Sequence, residues 1–184
     1  MKFKYLLFLL ALIAMSCNDD KKMESDDTDD MAAVDSLFER NSETVMKDIR
    51  NWESENPDYS IYSDNFVGLE TMYGTEKDSF NLAEMKDSDK RILEMWDFKL
   101  LEDPVMLPGV NTETKEMDGS VRYYSKWRIT RPATDSTSER YADLKAYSSH
   151  DFDEDGKIIY SQMYADFTGL WNQLMVAKDS MMTK

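Results

Sequence analysis

The chain has 184 residues, which is enough for one domain with a substantial hydrophobic core. Its 22 Lys and Arg residues stand against 37 Asp and Glu residues, a formal net charge of −15. This excess of acid argues against binding of nucleic acid, and against side-chain binding to an anionic lipid surface. A single cysteine and a single histidine also argue against an internal disulfide and a multi-histidine metal site, so we expect no metal. The sequence has no Walker loop or dinucleotide fingerprint, so we expect no cofactor.

The first predicted element is a signal segment at the amino terminus. Two lysines precede a short apolar run that ends in Ser16 and Cys17, and the run lacks the ~20 residues that a membrane-spanning helix needs. This pattern resembles a bacterial lipoprotein signal, in which residues 1–16 are removed and the cysteine carries acyl chains such as palmitate. We therefore predict a cell-envelope protein held in the membrane, most consistently the outer membrane, through lipid on Cys17 alone.

The segment that follows the cysteine is strongly acidic. Residues 17–30 are predicted to be a solvated tether, because they lack a pattern that buries apolar surface. An acidic run in this place also resembles the signal that sends some lipoproteins to the outer face of the outer membrane, while a simple spacer fits equally well.

After the tether, apolar residues recur at helical spacing and predict one long amphipathic helix over residues 31–53. These residues are Val34, Phe38, Val45, Ile49 and Trp52.

The rest of the chain predicts one more helix and then a series of strands. Alternating apolar residues and Pro or Gly breakers predict these elements in order: a helix from Leu82 to about Asp97, an edge strand over 98–107 interrupted at Pro104, a hairpin of 121–129 and 141–150, a turn at Asp155-Gly156, and a last strand over 157–167. Residues after 177 are predicted to be a polar tail. Helices followed by antiparallel strands indicate an α+β domain.

Two segments resemble a known superfamily. The first segment, Tyr62–Glu70, is similar to the first strand of nuclear transport factor 2-like proteins, particularly the SnoaL-like and ketosteroid-isomerase-like members. The second segment, Phe152–Ile158 continuing to Asp166–Leu170, is similar to the closing hairpin and final strand of the same proteins. The resemblance implies one domain over residues 31–177, with residues 178–184 as a tail. It also implies a cone-shaped fold, in which a curved antiparallel sheet packs against a long N-terminal helix and shorter helices around a pocket.

The resemblance carries over only part of a catalytic set. Glu70 matches the position of the isomerase base, but Ser148 stands at the position of the acid partner, and Met46 or Ile49 stands near the helix tyrosine. Without oxyanion donors, isomerase chemistry is disfavoured. Asp166 matches the acid/base aspartate of the cyclases, although strand alternation points it away from the pocket unless a bulge intervenes. The resemblance and the alternation predict a ligand-binding surface of Glu70, Tyr123, Trp127, Ser148, Ser161 and Met163.

Residues Asp151–Ile158 match the first part of a calcium-binding EF-hand loop. The match fails where Gln162 replaces the bidentate glutamate, and the flanks have strand rather than helix patterns. We therefore predict a hairpin turn without metal. The single histidine, His150, is expected to end a strand.

Three functions are compatible with the sequence. The leading hypothesis is non-catalytic binding of a small apolar ligand or a protein partner. The second is an isomerase-like or cyclase-like acid/base enzyme that uses Glu70 or Asp166. The third is a structural module in which the open sheet face pairs two copies as a homodimer.

The lipid anchor is directly testable. We expect intact-mass spectrometry of the protein purified from its native membrane to show a mature chain that begins at Cys17 and carries acyl chains. Detection of the uncleaved leader, or of an unmodified Cys17, would contradict the assignment to the cell envelope.

Overall fold

The computed structural model describes residues 24–175, with side chains from residue 33 onward. The predicted signal segment, Cys17 and the tail 178–184 lie outside the described residues. The described residues up to Asp35 belong to one unit and those from Ser36 to another, and the second unit is the domain discussed below. No helix within residues 24–175 is long and apolar enough to cross a membrane.

Within residues 24–175, three α-helices and one short 3-10 helix accompany the sheet: α1 (Glu24–Glu53), the 3-10 helix (Tyr59–Ile61), α2 (Leu82–Met95) and α3 (Phe167–Met175). Helix α1 begins at Glu24, so part of the predicted tether is helical, since an existing helix extends at little cost. Helix α3 was not predicted, because its nine residues are too few for a clear periodic pattern.

The ends of these helices are set by local side-chain contacts. The Asn81 side chain accepts hydrogen bonds from the backbone N–H groups of Ala83 and Glu84, both at 3.0 Å. The Glu84 carboxylate in turn accepts from the Asn81 N–H group at 3.1 Å, which completes a capping box. Asp58 caps the 3-10 helix by accepting from the Ser60 N–H group. These two caps fix where α2 and the turn before β1 begin.

The described part of the chain contains seven strands that form one sheet: β1 (Tyr62–Leu69), β2 (Ser79–Asn81), β3 (Asp97–Leu100), β4 (Val105–Val110), β5 (Met117–Arg131), β6 (Arg140–Phe152) and β7 (Ile158–Ala165). Their order is β2-β1-β7-β6-β5-β3, and β4 also pairs with β5. The long hairpin β5–β6 and the last strand confirm the prediction. Two details differ: β1 pairs with β7 in parallel, so the sheet is mixed, and Pro104 divides the predicted edge strand into β3 and β4.

The inner face of the sheet packs against the helices. Every second residue of β5 is buried from Val121 to Ile129, as the alternating pattern predicts. These residues share a core with Val45 and Ile49 of α1 and Leu174 of α3. A second core cluster surrounds Phe66 of β1. The α+β architecture with helices on one face of the sheet is thereby confirmed, and its interior lies between α1, α2 and the inner face.

Candidate functional site

A carboxyl group of α1 lies in this interior. Asp48 occupies the apolar stripe of the helix, three residues after Val45 and four before Trp52, so the fold turns it toward the sheet. The Tyr62 hydroxyl donates a hydrogen bond to Asp48 Oδ1 at 3.0 Å. Desolvation raises the pKa of Asp48 to about 7; the hydrogen bond from Tyr62 opposes this shift, and the charge of Asp89 adds to it. Although the residue keeps part of its surface exposed, its carboxyl group is therefore desolvated.

Helix α2 contributes a second buried carboxyl group. Asp89 lies between Met85 and Ile92 on the buried side of α2 and is 7% exposed. The Tyr59 hydroxyl donates to Asp89 Oδ2 at 3.2 Å. Desolvation raises the pKa of Asp89 to about 6, and the hydrogen bond from Tyr59 works in the opposite direction. The two carboxyl groups are close enough for Asp89 to act on the pKa of Asp48.

The inner face of the sheet completes the arrangement with Tyr123. Desolvation raises the pKa of the Tyr123 hydroxyl, the charge of Asp48 raises it further, and Ser148 opposes the shift. The same hydroxyl lies 3.3 Å from His150 Nε2, with the two rings stacked. Desolvation lowers the pKa of His150 to about 4, with a further contribution from Arg122, so this ring is neutral at pH 7. We name Asp48, Tyr59, Tyr62, Asp89 and Tyr123 the acid–tyrosine cluster.

Beside Tyr123 lies a polar atom without a hydrogen-bond partner. Ser148 is the cross-strand neighbour of Tyr123 and is 1% exposed. Its Oγ atom is near enough to influence the Tyr123 hydroxyl, but it makes no hydrogen bond of normal geometry. A buried hydroxyl without a partner costs about 1–3 kcal/mol, so this atom is an unused polar contact beside the cluster.

Chemically, the acid–tyrosine cluster can hold or exchange protons near neutral pH. Desolvation is the main cause of both raised pKa values, and the charge of Asp89 adds a smaller contribution to the pKa of Asp48. A protonated carboxyl group donates a hydrogen bond to a ligand, whereas an ionised one accepts a hydrogen bond or attracts a positive charge. Among the described residues, no group of three or more His, Cys, Asp or Glu side chains is placed to hold a metal ion.

The structure places five of the residues predicted to bind a ligand on the inner face, four of them in two neighbouring rows. Tyr123, Ser148 and Met163 are successive cross-strand neighbours, with Met163 37% exposed at the β7 end. Ser161 stands opposite His150 in the next row. Trp127 lies further along β5, where its Nε1 donates to Ser125 Oγ at 3.1 Å and its ring is part of the core. Of this set, Tyr123 belongs to the acid–tyrosine cluster and Ser148 is its cross-strand neighbour.

The two candidate catalytic acids, Glu70 and Asp166, each accept a hydrogen bond from a nearby backbone N–H group. Glu70 follows β1, where its Oε1 accepts from the Met72 N–H group at 3.0 Å. β1 has a register shift after Tyr62: Tyr62 pairs with Ile158 of β7 and Leu69 with Gln162, so Glu70 lies roughly 15 Å along the sheet from Tyr62 at the usual rise per residue. Asp166 precedes α3, and its Oδ1 accepts from the Gly169 N–H group at 2.8 Å. Glu70 therefore lies beyond hydrogen-bond reach of Tyr62, while the Asp166 carboxylate caps a helix.

In the acidic hairpin turn between β6 and β7, a carboxylate accepts a hydrogen bond from the backbone of the turn itself. Asp153 Oδ1 accepts from the Lys157 N–H group at 2.9 Å, and the Asp153 carbonyl accepts from the Gly156 N–H group at 3.0 Å. Gly156 takes a positive φ of 76°, a conformation that favours glycine. The EF-hand-like residues therefore form a hairpin turn between two strands.

Two depressions open on the surface of the described residues. The larger, of about 530 Å³, lies beside β2 and is lined by residues such as Lys77, Asp78 and Glu84. No member of the acid–tyrosine cluster lines this depression, so we do not assign it as the functional site despite its larger volume. The smaller, of about 340 Å³, we name the Tyr59 depression. It lies between the end of α1 and α2 and is lined by Glu55, Pro57, Tyr59, Lys90, Leu93 and Glu94.

Tyr59 connects this depression to the interior. Tyr59 is one of the residues that line the depression, and its hydroxyl donates to the buried Asp89 carboxylate.

Asp48 and Asp89 were not predicted as site residues from the sequence. A signal was present, since each is an acid inside the apolar stripe of an amphipathic helix, a position that normally excludes charge. The resemblance directed attention to Met46 and Ile49, which flank Asp48. The tyrosine partners gave no such signal, because pairing between helices and the sheet depends on the folded arrangement.

Comparison with known proteins identifies the fold. No protein-family model matches the sequence, and no curated protein does. A phenazine biosynthesis-related protein of Pseudomonas aeruginosa is 14% identical over 80% of this chain and 92% of its own, with a TM-score of 0.57. A candidate polyketide cyclase of Xanthomonas campestris is 12% identical over 74% of this chain and 98% of its own, with a TM-score of 0.58.

A third solved structure carries the fold name itself. This nuclear transport factor 2-like protein of Burkholderia xenovorans is 11% identical over 73% of this chain and 95% of its own, with a TM-score of 0.54. The chain has the nuclear transport factor 2-like fold. At these identities the likeness shows the fold alone, and it confirms the architecture expected from the two resembling segments. In this nuclear transport factor 2-like domain, the acid–tyrosine cluster lies between the helices and the inner face of the sheet.

The raised pKa of Asp48 predicts how stability depends on pH. Below about pH 4 the carboxyl group is protonated in both the folded and unfolded states. Between pH 4 and 7 the unfolded chain ionises while the folded protein retains the proton, so this residue lowers stability as pH rises. We expect Asp48→Asn, which still accepts from Tyr62, to raise the free energy of unfolding by roughly 2–4 kcal/mol at pH 8 but little at pH 4.

Urea denaturation at both pH values measures this difference. Asp64→Asn, at an exposed position of β1, is the control and should leave the pH dependence unchanged. An equal loss of stability at pH 4 and pH 8 in Asp48→Asn would contradict the assignment of a desolvated carboxyl group.

Proposed function

We propose that the domain binds a small, partly apolar ligand at the acid–tyrosine cluster without catalysing a reaction, and that lipid on Cys17 holds it at the cell envelope. One observation carries the proposal: two desolvated carboxyl groups, Asp48 and Asp89, each accept a hydrogen bond from a tyrosine in the interior between helices and sheet. The acidic residues after Cys17 favour the outer membrane as the place of attachment and are compatible with exposure at the cell surface.

The energetic cost of the cluster supports a binding role. Burying a carboxyl group destabilises a fold unless a ligand or partner compensates, and an apolar residue at either position would pack against the core at no such cost. Departures of this kind from the ordinary pattern are expected at functional sites. The unpartnered Ser148 hydroxyl beside the same cluster has a similar cost and is best satisfied by a ligand atom.

Binding is favoured over catalysis by the positions of the acids. An isomerase-type reaction needs a base close to its hydrogen-bond donors. Glu70, which matches the base of the steroid isomerases, lies at the far end of β1 from Tyr62. The Asp166 carboxylate accepts from a helix N–H group. Thus neither acid suggested by the family is brought to the donors.

A second candidate function is acid/base catalysis by the cluster itself. The pKa of Asp48, raised to about 7 by desolvation, is suited to proton transfer near neutral pH, and Asp89, with a pKa raised to about 6, would be the stronger acid of the pair. In this alternative, Asp48 would protonate a carbonyl or imine while ionised Asp89 accepts a proton from the neighbouring carbon.

A matched pair of substitutions tests the binding proposal. Ser148 and Ser149 are consecutive residues of β6, each 1% exposed, but they face opposite sides of the sheet. We expect the protein purified from its own membrane to retain a small molecule that native mass spectrometry detects. Ser148→Val, which adds bulk beside Tyr123, should lose that molecule, whereas Ser149→Val should keep it.

The same measurement separates the two functions. Binding predicts that the retained molecule is recovered chemically unchanged after prolonged incubation at pH 7. Its conversion to a product by the wild-type protein but not by Asp48→Asn would favour the acid/base enzyme. Equal retention in the two serine variants would contradict binding at the cluster.

A further inference from the structure

We propose that the outer face of the sheet binds an acidic polysaccharide, whose sugar rings lie on a row of tyrosines while its carboxylates meet two neighbouring lysines. The outer face lies opposite the acid–tyrosine cluster, because Tyr123 points inward from β5 and the next residue, Tyr124, points outward. This is a second site, and it does not depend on the function proposed above.

The outer face of the β5–β6 hairpin carries positive charge, although the chain as a whole is acidic. Over positions 122–130 of β5 and 141–151 of β6, the outward side chains include four cations and two acids, whereas the chain has 22 cations and 37 acids. Both acids are held in ion pairs with arginines, at 2.9 and 2.8 Å. The two remaining cations, which we name the outer lysine pair, are Lys126 and Lys145.

The members of the outer lysine pair lie directly opposite each other. Lys126 pairs with Lys145 in the β5–β6 register, and like charges in this arrangement destabilise a sheet. Among the described residues, neither lysine forms an ion pair with a carboxylate. The charge of Lys126 acts on Asp143, but Arg128 already binds that carboxylate through hydrogen bonds of 2.8 and 3.0 Å. An anionic ligand would therefore supply a counter-charge that the fold does not provide.

Three tyrosines form a row across three strands beside the outer lysine pair. Tyr124 pairs with Tyr147, which in turn pairs with Tyr164, and we name these residues the outer tyrosine row. Tyr124 is 54% exposed and Tyr164 is 51% exposed, and the ring centroids of Tyr124 and Tyr147 lie 5.2 Å apart. Since neighbouring strands are about 4.8 Å apart, the row is roughly 10 Å long, which is comparable to a disaccharide.

The outer tyrosine row is suited to sugar rings. A pyranose ring has an apolar C–H face and a polar rim, and a tyrosine ring likewise offers an apolar face with a hydroxyl group at its edge. Gln162 holds the β7 end of the row, because its Oε1 accepts hydrogen bonds from the Tyr160 hydroxyl at 3.1 Å and the Tyr164 hydroxyl at 3.5 Å. Side chains that are fixed in advance lose less conformational entropy when a ligand binds.

The same features disfavour other occupants of this face. Two copies that met through it would bring two lysine pairs into one interface, where charged residues are normally depleted. An anionic membrane surface is broad enough to approach the many acids of the domain, whereas a thin chain on the outer face interacts mainly within the screening length of about 8 Å. Nucleic acid has a phosphate on every nucleotide and depends on several cations, but only the outer lysine pair is available here.

Two oligosaccharides with the same sugar rings test the charge requirement. Hexagalacturonate carries a carboxylate on each sugar, and its methyl ester lacks these charges. Their affinities for the full-length protein in a non-ionic polyoxyethylene detergent at pH 7 are measured by isothermal titration calorimetry. At about 50 mM NaCl we expect the acid form to bind at least tenfold more tightly than the ester, and this preference should fall about threefold or more at about 300 mM NaCl.

Paired lysine variants localise the charge. Lys126→Gln/Lys145→Gln should lose about tenfold in affinity for hexagalacturonate. The control Lys86→Gln/Lys90→Gln changes the net charge equally at exposed positions of α2, and should lose less than about twofold. Because like charges in the outer lysine pair destabilise the sheet, Lys126→Gln alone should raise the Tm by about 1–3 °C while it weakens binding. A weaker ligand contact in a more stable protein cannot come from damage to the fold.

Tyrosine variants test the stacking. Tyr124→Ser/Tyr164→Ser should weaken both oligosaccharides by about tenfold, because the acid and the ester present the same ring faces. Tyr73→Ser, which removes a fully exposed ring from the loop after β1, is the control and should weaken neither.

The contrary outcomes are distinct. If the ester binds as tightly as hexagalacturonate, or if the two lysine double variants bind hexagalacturonate alike, the assignment of an acidic polysaccharide is wrong. A single-stranded oligothymidylate that binds more tightly than hexagalacturonate at the same salt concentration would overturn it in favour of nucleic acid. A dimer in light scattering that Tyr124→Ser/Tyr164→Ser dissociates would overturn it in favour of a second copy. None of these results bears on the acid–tyrosine cluster.

Discussion

The interior of this domain depends on the contact between Asp48 and Tyr62. It joins the long first helix to the first strand through a hydrogen bond to a desolvated carboxyl group. An apolar pair would pack at lower cost, so the fold tolerates this contact at the expense of stability. Asp89 and Tyr59 form a second tyrosine–carboxylate hydrogen bond, which joins α2 to the 3-10 helix. The two pairs give an otherwise apolar core a proton-binding centre.

The surrounding structure explains why this centre is stable. Val45 and Ile49 pack against the sheet on either side of Asp48, and the β5–β6 hairpin provides the inner face through Val121 and Tyr123. The Asn81 capping box sets the start of α2, on which Asp89 is carried. The hydrophobic burial around these residues supplies stability that offsets the cost of the buried polar groups.

Much of the architecture could be predicted from the sequence. Alternation in β5 and helical spacing in α1 specified the buried faces, because those periods follow directly from backbone geometry. The parallel β1–β7 pair and the short helix α3 escaped prediction, since strand partners and brief helices are decided by tertiary contacts. Less of the site could be predicted. Tyr123 and Ser148 were predicted because they lie on the inner face of the sheet. The Asp48–Tyr62 hydrogen bond was not, because it joins a helix to a strand and depends on how they pack in the folded domain.

Desolvation of Asp48 and Asp89 distinguishes this interior from an ordinary apolar core. Carboxyl-carbon NMR, with aspartate labelled at Cγ and assigned through Asp48→Asn and Asp89→Asn, measures their titration directly. We expect midpoints near pH 7 for Asp48 and near pH 6 for Asp89. Midpoints close to the usual value of about 4 for both residues would contradict this expectation, because solvated carboxyl groups would leave no proton-binding centre inside the domain.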